Sequence, residues 1–126
     1  MLTVLIVEDE TITALGLRSL LEDLGSVVLP TATNGSDAFE RCARCRPDLV
    51  LMDIHLQGGT DGLEAGKRIE KEHGIPVVFL TGNRDFPEEI TGEGIRPVRF
   101  IAKPVDSAVL SGLIESICDV PVSSSA

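Results

Sequence analysis

Leu49-Val50-Leu51-Met52-Asp53 decides the architecture of this chain. Four consecutive apolar residues closed by a carboxylate lack the polar and apolar alternation of a half-exposed strand. They fit a strand buried on both faces, which is the habit of parallel sheets covered by helices. The flanks should then alternate between helical patterns and further short apolar blocks.

They do so in both directions. Upstream, residues from about Ser36 to Cys45 carry a helical pattern closed by Pro47, and Val27-Val28-Leu29 reads as a strand containing Pro30. The segment Ile12 to Leu24 places apolar residues at 12, 15, 17, 20, 21 and 24 and is followed by Gly25, the spacing and stop signal of an amphipathic helix. Before it stands Val4-Leu5-Ile6-Val7, ending in Glu8-Asp9-Glu10. Downstream, Gly62 to His73 is a helix stopped by Gly74, Val77-Val78-Phe79-Leu80 is a strand ending at Thr81, and Val98 to Ala102 is a strand ending at Lys103-Pro104. A last helix from about Asp106 turns Val109, Leu110, Leu113, Ile114 and Ile117 to the core, with Asp106 or Ser107 as its cap, and residues 121–126 form a flexible polar tail to a domain spanning 1–120.

Five strands in helical wrapping give an α/β, doubly wound (βα)5 sheet of the flavodoxin-like type. Pro30 cannot donate to a ladder, so the second strand belongs at an edge, and the order 2-1-3-4-5 satisfies this with right-handed crossovers. One stretch resists the pattern. Residues 82–96 hold three glycines, a proline and few apolar side chains, so the fourth helix is expected to be short or disordered, at best a turn or two around Pro87 to Thr91.

The chain of 126 residues suits one domain, and an output module is therefore expected on another protein. An apolar fraction of 43 % beside 25 % charged residues is globular, and no run is long enough to insert in a membrane. With no charged leader at the start, a cytoplasmic location is expected. Twenty acidic against eleven basic side chains give a net charge of -9, which opposes direct nucleic-acid binding. Three cysteines make neither a disulfide framework nor a zinc site. Cys42 and Cys45 are expected to share the buried stripe of their helix.

In a parallel sheet every strand's carboxyl end faces one rim, so Glu8, Asp9, Asp53, Thr81 and Lys103 should meet there. Three converging carboxylates repel one another and are costly unless a cation shares the site. Oxygen ligands suit magnesium, Lys103 adds a fixed positive charge, and Thr81 adds a hydroxyl. Those are the parts phosphoryl transfer needs, with Asp53 as the nucleophile that would form an acyl phosphate.

Taken together, Glu8-Asp9, Asp53, Asp61-Gly62, Thr81-Gly82 and Phe100-Ile101-Ala102-Lys103-Pro104 resemble the receiver domains of two-component response regulators over nearly the whole chain. The Phe79-Leu80-Thr81-Gly82 segment resembles a stand-alone subgroup with a Phe-x-Thr-Gly signature, in which the fourth helix is short or disordered. The resemblance implies that Asp53 accepts a phosphoryl group from a sensor histidine kinase or histidine phosphotransfer protein. Magnesium would be held by Asp53, directly by Asp9, through water by Glu8, and by the backbone carbonyl of His55. Thr81 would bond the phosphoryl group, Lys103 would neutralise it, and Phe100 would change packing on activation. Such a domain is a phosphoacceptor rather than an enzyme, limited to its own phosphorylation and autodephosphorylation. It switches a protein target by contact or drains a shared kinase as a phosphate sink.

His55, two residues past the acceptor, can reach over the phosphoryl group and alter its hydrolysis. Phe100 lacks a tyrosine hydroxyl, so a switch there rests on packing alone. A degraded fourth helix disfavours dimerisation through the face of helix four, strand five and helix five. Two other classes share the strand order. A flavodoxin-like cofactor module wants a Ser/Thr/Gly-rich phosphate loop where this chain has Glu8-Asp9-Glu10-Thr11. A magnesium-dependent aspartyl-phosphate phosphohydrolase commonly places a second acid where His55 stands.

Overall fold

The computed structural model describes residues 2–54, 56, 62–81, 99–102 and 105–124; for 99, 102 and 116–124 it describes the backbone alone. Among them run β1 (Thr3–Val7), α1 (Thr11–Asp23), β2 (Val27–Val28), α2 (Gly35–Cys45), β3 (Leu49–Asp53), α3 (Gly62–His73), β4 (Val77–Thr81), β5 (Arg99–Ala102) and α4 (Ser107–Ser124). The five strands are parallel in the order β2-β1-β3-β4-β5, as Pro30 and the apolar blocks require. The expected fourth helix falls on residues 82–98, outside the described residues.

Because side chains alternate across a strand, each central strand feeds two cores. Leu5, Val7, Val50, Met52, Val77 and Phe79 pack under α2 and α3 with Ala38, Cys42, Leu63 and Ile69. Val4, Ile6, Leu49, Leu51, Val78 and Leu80 pack under α1 and α4 with Ala14, Leu17, Leu21, Leu110 and Leu113. A fully buried aliphatic side chain contributes about 1.5–3 kcal/mol, whereas a helix cap is worth about 1 kcal/mol. This explains why α1 forms although Glu10 supplies no side-chain cap. Two other helices, α2 and α4, do have caps: Asn34 Oδ1 accepts the Asp37 N–H at 2.8 Å, and Asp106 Oδ1 accepts the Val109 N–H at 2.9 Å. Gly25 (φ 91°) and Gly74 (φ 69°) stand where α1 and α3 end, in the left-handed region that glycine enters without strain.

The edge strand β2 is shorter than its apolar block. Leu29 N–H still donates to the Val4 carbonyl at 2.9 Å, but Pro30 has no N–H to continue the ladder. Pairing resumes at Ala32, which bridges to Val7. The carbonyls left at this break are taken by arginines from both faces of the sheet: Arg18 of α1 donates to the Leu29 oxygen at 3.1 Å, and Arg41 of α2 donates to the Pro30 oxygen.

The cysteine expectation needs correcting. Cys42 is buried, whereas Cys45, the last residue of α2, is exposed although three-residue spacing puts both near one helix face. Burial, reinforced by neighbouring Cys45, pushes the Cys42 thiol up to about 11, so it stays protonated and inert at neutral pH. The helix after β5 continues past Pro121 to Ser124, without the hydrogen bond a proline cannot donate.

Gly16, exposed on α1, has no atom within 4 Å of where a Cβ would sit. Gly16→Ala is expected to raise the unfolding free energy by about 0.5–1 kcal/mol in urea titrations, and Gly25→Ala to lower it. Equal signs for the two substitutions would contradict these backbone assignments.

Candidate functional site

The carboxyl ends of β1 and β3 lie side by side, with Val7 in register with Met52, so the next residue along each strand is a carboxylate, Glu8 and Asp53. Backbone bonds fix both. Glu8 N–H donates to the Ala32 carbonyl at 2.9 Å, and Ile54 N–H, just past Asp53, donates to the Leu80 carbonyl at 3.1 Å. Asp9 follows before α1 begins, and Glu10 N–H turns back to Glu8 Oε2 at 3.3 Å. One carboxylate oxygen from each of Glu8, Asp9 and Asp53 lies within 4.8 Å of the others. Glu8 is 2 % exposed and Asp53 4 %, with Asp9 partly open to solvent.

Two withdrawn carboxylates beside a third form an arrangement that favours a bound cation. All-oxygen donors are hard ligands, and three carboxylates sharing one small space fit magnesium better than a soft metal. Beside them opens a cavity of about 150 Å³, lined in part by Glu8, Asp9, Thr11, Arg18, Thr31 and Thr33, which gives this acidic corner contact with solvent.

Thr81 closes β4 one residue beyond the Asp53–Leu80 pair and is 1 % exposed. Phe100 sits opposite Phe79 in register, and their rings stack with centroids 5.3 Å apart and planes at 22°. The structure thus brings Glu8, Asp9 and Asp53 together, sets Thr81 beside them on the same rim, and places Phe100 one strand further on. Lys103 and His55, with Asp61 and Gly82, lie outside the described residues.

Reasoning from sequence missed two neighbours of the site: Ala32 anchors Glu8 through its carbonyl, and Arg18 borders the acidic cavity. Gly62 was singled out with Asp61 as the start of the third helix, but not for the contact its backbone makes with that of Asp53.

A doubly wound 2-1-3-4-5 sheet with two acids after β1, one closing β3 and a buried threonine closing β4 defines a class, the phosphoacceptor receiver modules of response regulators. The chain belongs to the response regulator receiver domain family, whose model matches residues 4–115. It is 38 % identical over 113 residues to the phyllosphere-induced regulator PhyR of Methylorubrum extorquens, covering 88 % of this chain and 41 % of that protein. With the transcriptional regulatory protein PdtaR of Mycobacterium tuberculosis it shares 32 % over 114 residues, covering 89 % of this chain and 54 % of that one. Among solved structures, the signal receiver domain of a modulated diguanylate cyclase from Desulfovibrio desulfuricans G20 superposes with a TM-score of 0.82 at 36 % identity, covering 93 % of both chains. The PhyR receiver domain of Erythrobacter litoralis gives 0.79 at 32 %, covering 94 % of this chain and 91 % of that one. The chain therefore spans about half or less of these two full-length regulators. No described helix is long and apolar enough to cross a membrane.

If the carboxylate cluster holds a cation, Asp9→Asn is expected to act in opposite directions with and without one. In chelator the variant should melt above the parent because one repulsion is gone, and the rise in melting temperature that magnesium gives the parent should shrink or vanish. An undiminished magnesium shift in the variant would remove Asp9 from the site.

Proposed function

We propose that Asp53 is the phosphoacceptor and that Glu8, Asp9 and Asp53 hold the magnesium ion needed for transfer. The observation that carries this is the meeting of three carboxylates within 4.8 Å at the rim of a receiver fold. In the proposed step a carboxylate oxygen of Asp53 attacks the phosphorus of a phosphohistidine. The new P–O bond forms as the P–N bond breaks, and the released electron pair stays on the imidazole nitrogen, which takes a proton from solvent. A bound magnesium ion would neutralise charge developing on the equatorial phosphoryl oxygens. Thr81 would donate its hydroxyl to the transferred group, Lys103 would supply a second positive charge, and the backbone carbonyl of His55 would be a further oxygen donor to the ion. Water later attacks the phosphorus and returns inorganic phosphate and the free carboxylate, a step that a histidine two residues past the acceptor, His55, would modulate.

The donor is a histidine kinase or histidine phosphotransfer protein, and the setting is cytoplasmic. A protein donor must approach the rim, and there α1 turns two apolar side chains to water: Ile12 is 84 % exposed and Leu15 58 %. Downstream, the reading is a conformational relay to a protein target, or a phosphate sink. The Bartonella quintana PhyR, which superposes on this chain with a TM-score of 0.82 at 30 % identity, is described as an anti-anti-sigma factor. Other relatives are protein-glutamate methylesterases/protein-glutamine glutaminases, for example from Hahella chejuensis (40 % identity over 88 residues), but this chain matches only 25 % of that enzyme's length. The activity proposed here is therefore confined to phosphoryl acceptance and loss. In activation, Phe100 would repack against Phe79 as Thr81 moves toward the phosphoryl group.

Incubation with a small acyl-phosphate donor and magnesium is expected to add one phosphate by intact mass, lost on chelation and in Asp53→Asn. Undiminished labelling of that variant would overturn the assignment.

A further inference from the structure

We propose that Gly62 is a positioning residue for Asp53. The missing side chain lets the first turn of α3 seat directly on the backbone leaving β3, and that seating holds the acceptor carboxylate against Glu8 and Asp9. The inference rests on Asp53 being the acceptor.

A Cβ at Gly62 would overlap the Asp53 carbonyl oxygen and would lie 3.0 Å from the Ile54 carbonyl oxygen and 3.1 Å from the Asp53 carbonyl carbon. All three are backbone atoms, so no rotamer change relieves the contact. Gly62 N–H also donates to the Ile54 carbonyl at 3.3 Å, which ties the helix start to the residue after the acceptor. Gly62 has no positive φ, so space rather than conformational freedom demands glycine here.

Neither side has room to retreat. β3 is paired with β1 and β4, and Ile54 N–H is held by the Leu80 carbonyl. On the other side Leu63, Gly66 and Ile69 are buried, and Gly66 lies against the Phe79 ring. With strand and helix both fixed, a methyl group at position 62 displaces the stretch that aims Asp53. Displacement of a reacting group by about 1 Å can cost a hundredfold in rate.

The test compares Gly62→Ala with Gly16→Ala, which adds the same methyl group to an open helix face. Labelling by a small acyl phosphate is timed at saturating magnesium and expressed per folded molecule, and magnesium affinity is measured by calorimetry. Gly62→Ala is expected to label about tenfold to a hundredfold more slowly and to bind magnesium several-fold more weakly, with Gly16→Ala unchanged in both. A purely structural role would lower the melting temperature of Gly62→Ala yet leave its labelling and magnesium affinity at parental values, and that result would overturn the proposal. If Gly62→Ala does not fold, amide NMR of the parent decides. The Gly62 resonance should shift in a magnesium titration with the same midpoint as those of Glu8 and Asp9, and an unmoved Gly62 resonance would overturn the proposal. A parent protein that takes no label refutes the acceptor reading itself, and the proposal with it.

Discussion

Mutual repulsion among Glu8, Asp9 and Asp53 is the constraint around which the rest of the structure is arranged. Two unit charges 4.8 Å apart repel by about 3.5 kcal/mol at an effective dielectric near 20, and two of these three carboxylates are almost closed to water. Flexible loops would relieve that strain by spreading apart. Here β1 and β3 are adjacent parallel strands in a sheet buried on both faces, so the acids that close them cannot separate without breaking the ladder. A cation bound among them would offset the repulsion. The cluster is consequently a cost to the protein without a cation, and it is the feature from which the proposed magnesium site follows.

The same constraint gives meaning to features remote from the acids. Val7 and Ala32 bridge beyond the break at Pro30, and it is the Ala32 carbonyl that fixes the Glu8 backbone. Arg18 and Arg41 stabilise that break from opposite faces by taking the Leu29 and Pro30 carbonyls. On the other flank, Thr81 and the Phe79–Phe100 stack join the rim to β5. A movement of Thr81 toward a phosphoryl group would therefore act on an aromatic contact within one strand's width, which is how a change at Asp53 could be felt at the surface.

Much of this was legible in the sequence because unbroken apolar runs and helical periodicity are signals of burial, and burial dominates the energetics. Pro30 placed β2 at the edge, Gly74 marked the end of α3, and the acids after the first and third runs fell on the rim once the strand order was known. What escaped depends on three-dimensional proximity. Asn34 capping α2 and the loss of Leu29 from β2 are decided by one or two local bonds that periodicity does not register, and Cys45 is exposed at the very end of its helix. Gly62 was visible as a helix start, but its need for glycine arises from the backbone of Asp53, nine positions earlier in the chain.

The central claim is that this geometry makes Asp53, among twenty acidic residues, the phosphoryl acceptor. Borohydride reduction of protein labelled by a small phosphodonor, followed by peptide mass spectrometry, tests it most directly, since an aspartyl phosphate is reduced to homoserine. The account requires homoserine at position 53 when magnesium is present and none when it is chelated. Homoserine at another position, phosphate carried on His55 or a serine, or modification of Asp53 that is indifferent to chelation would contradict it.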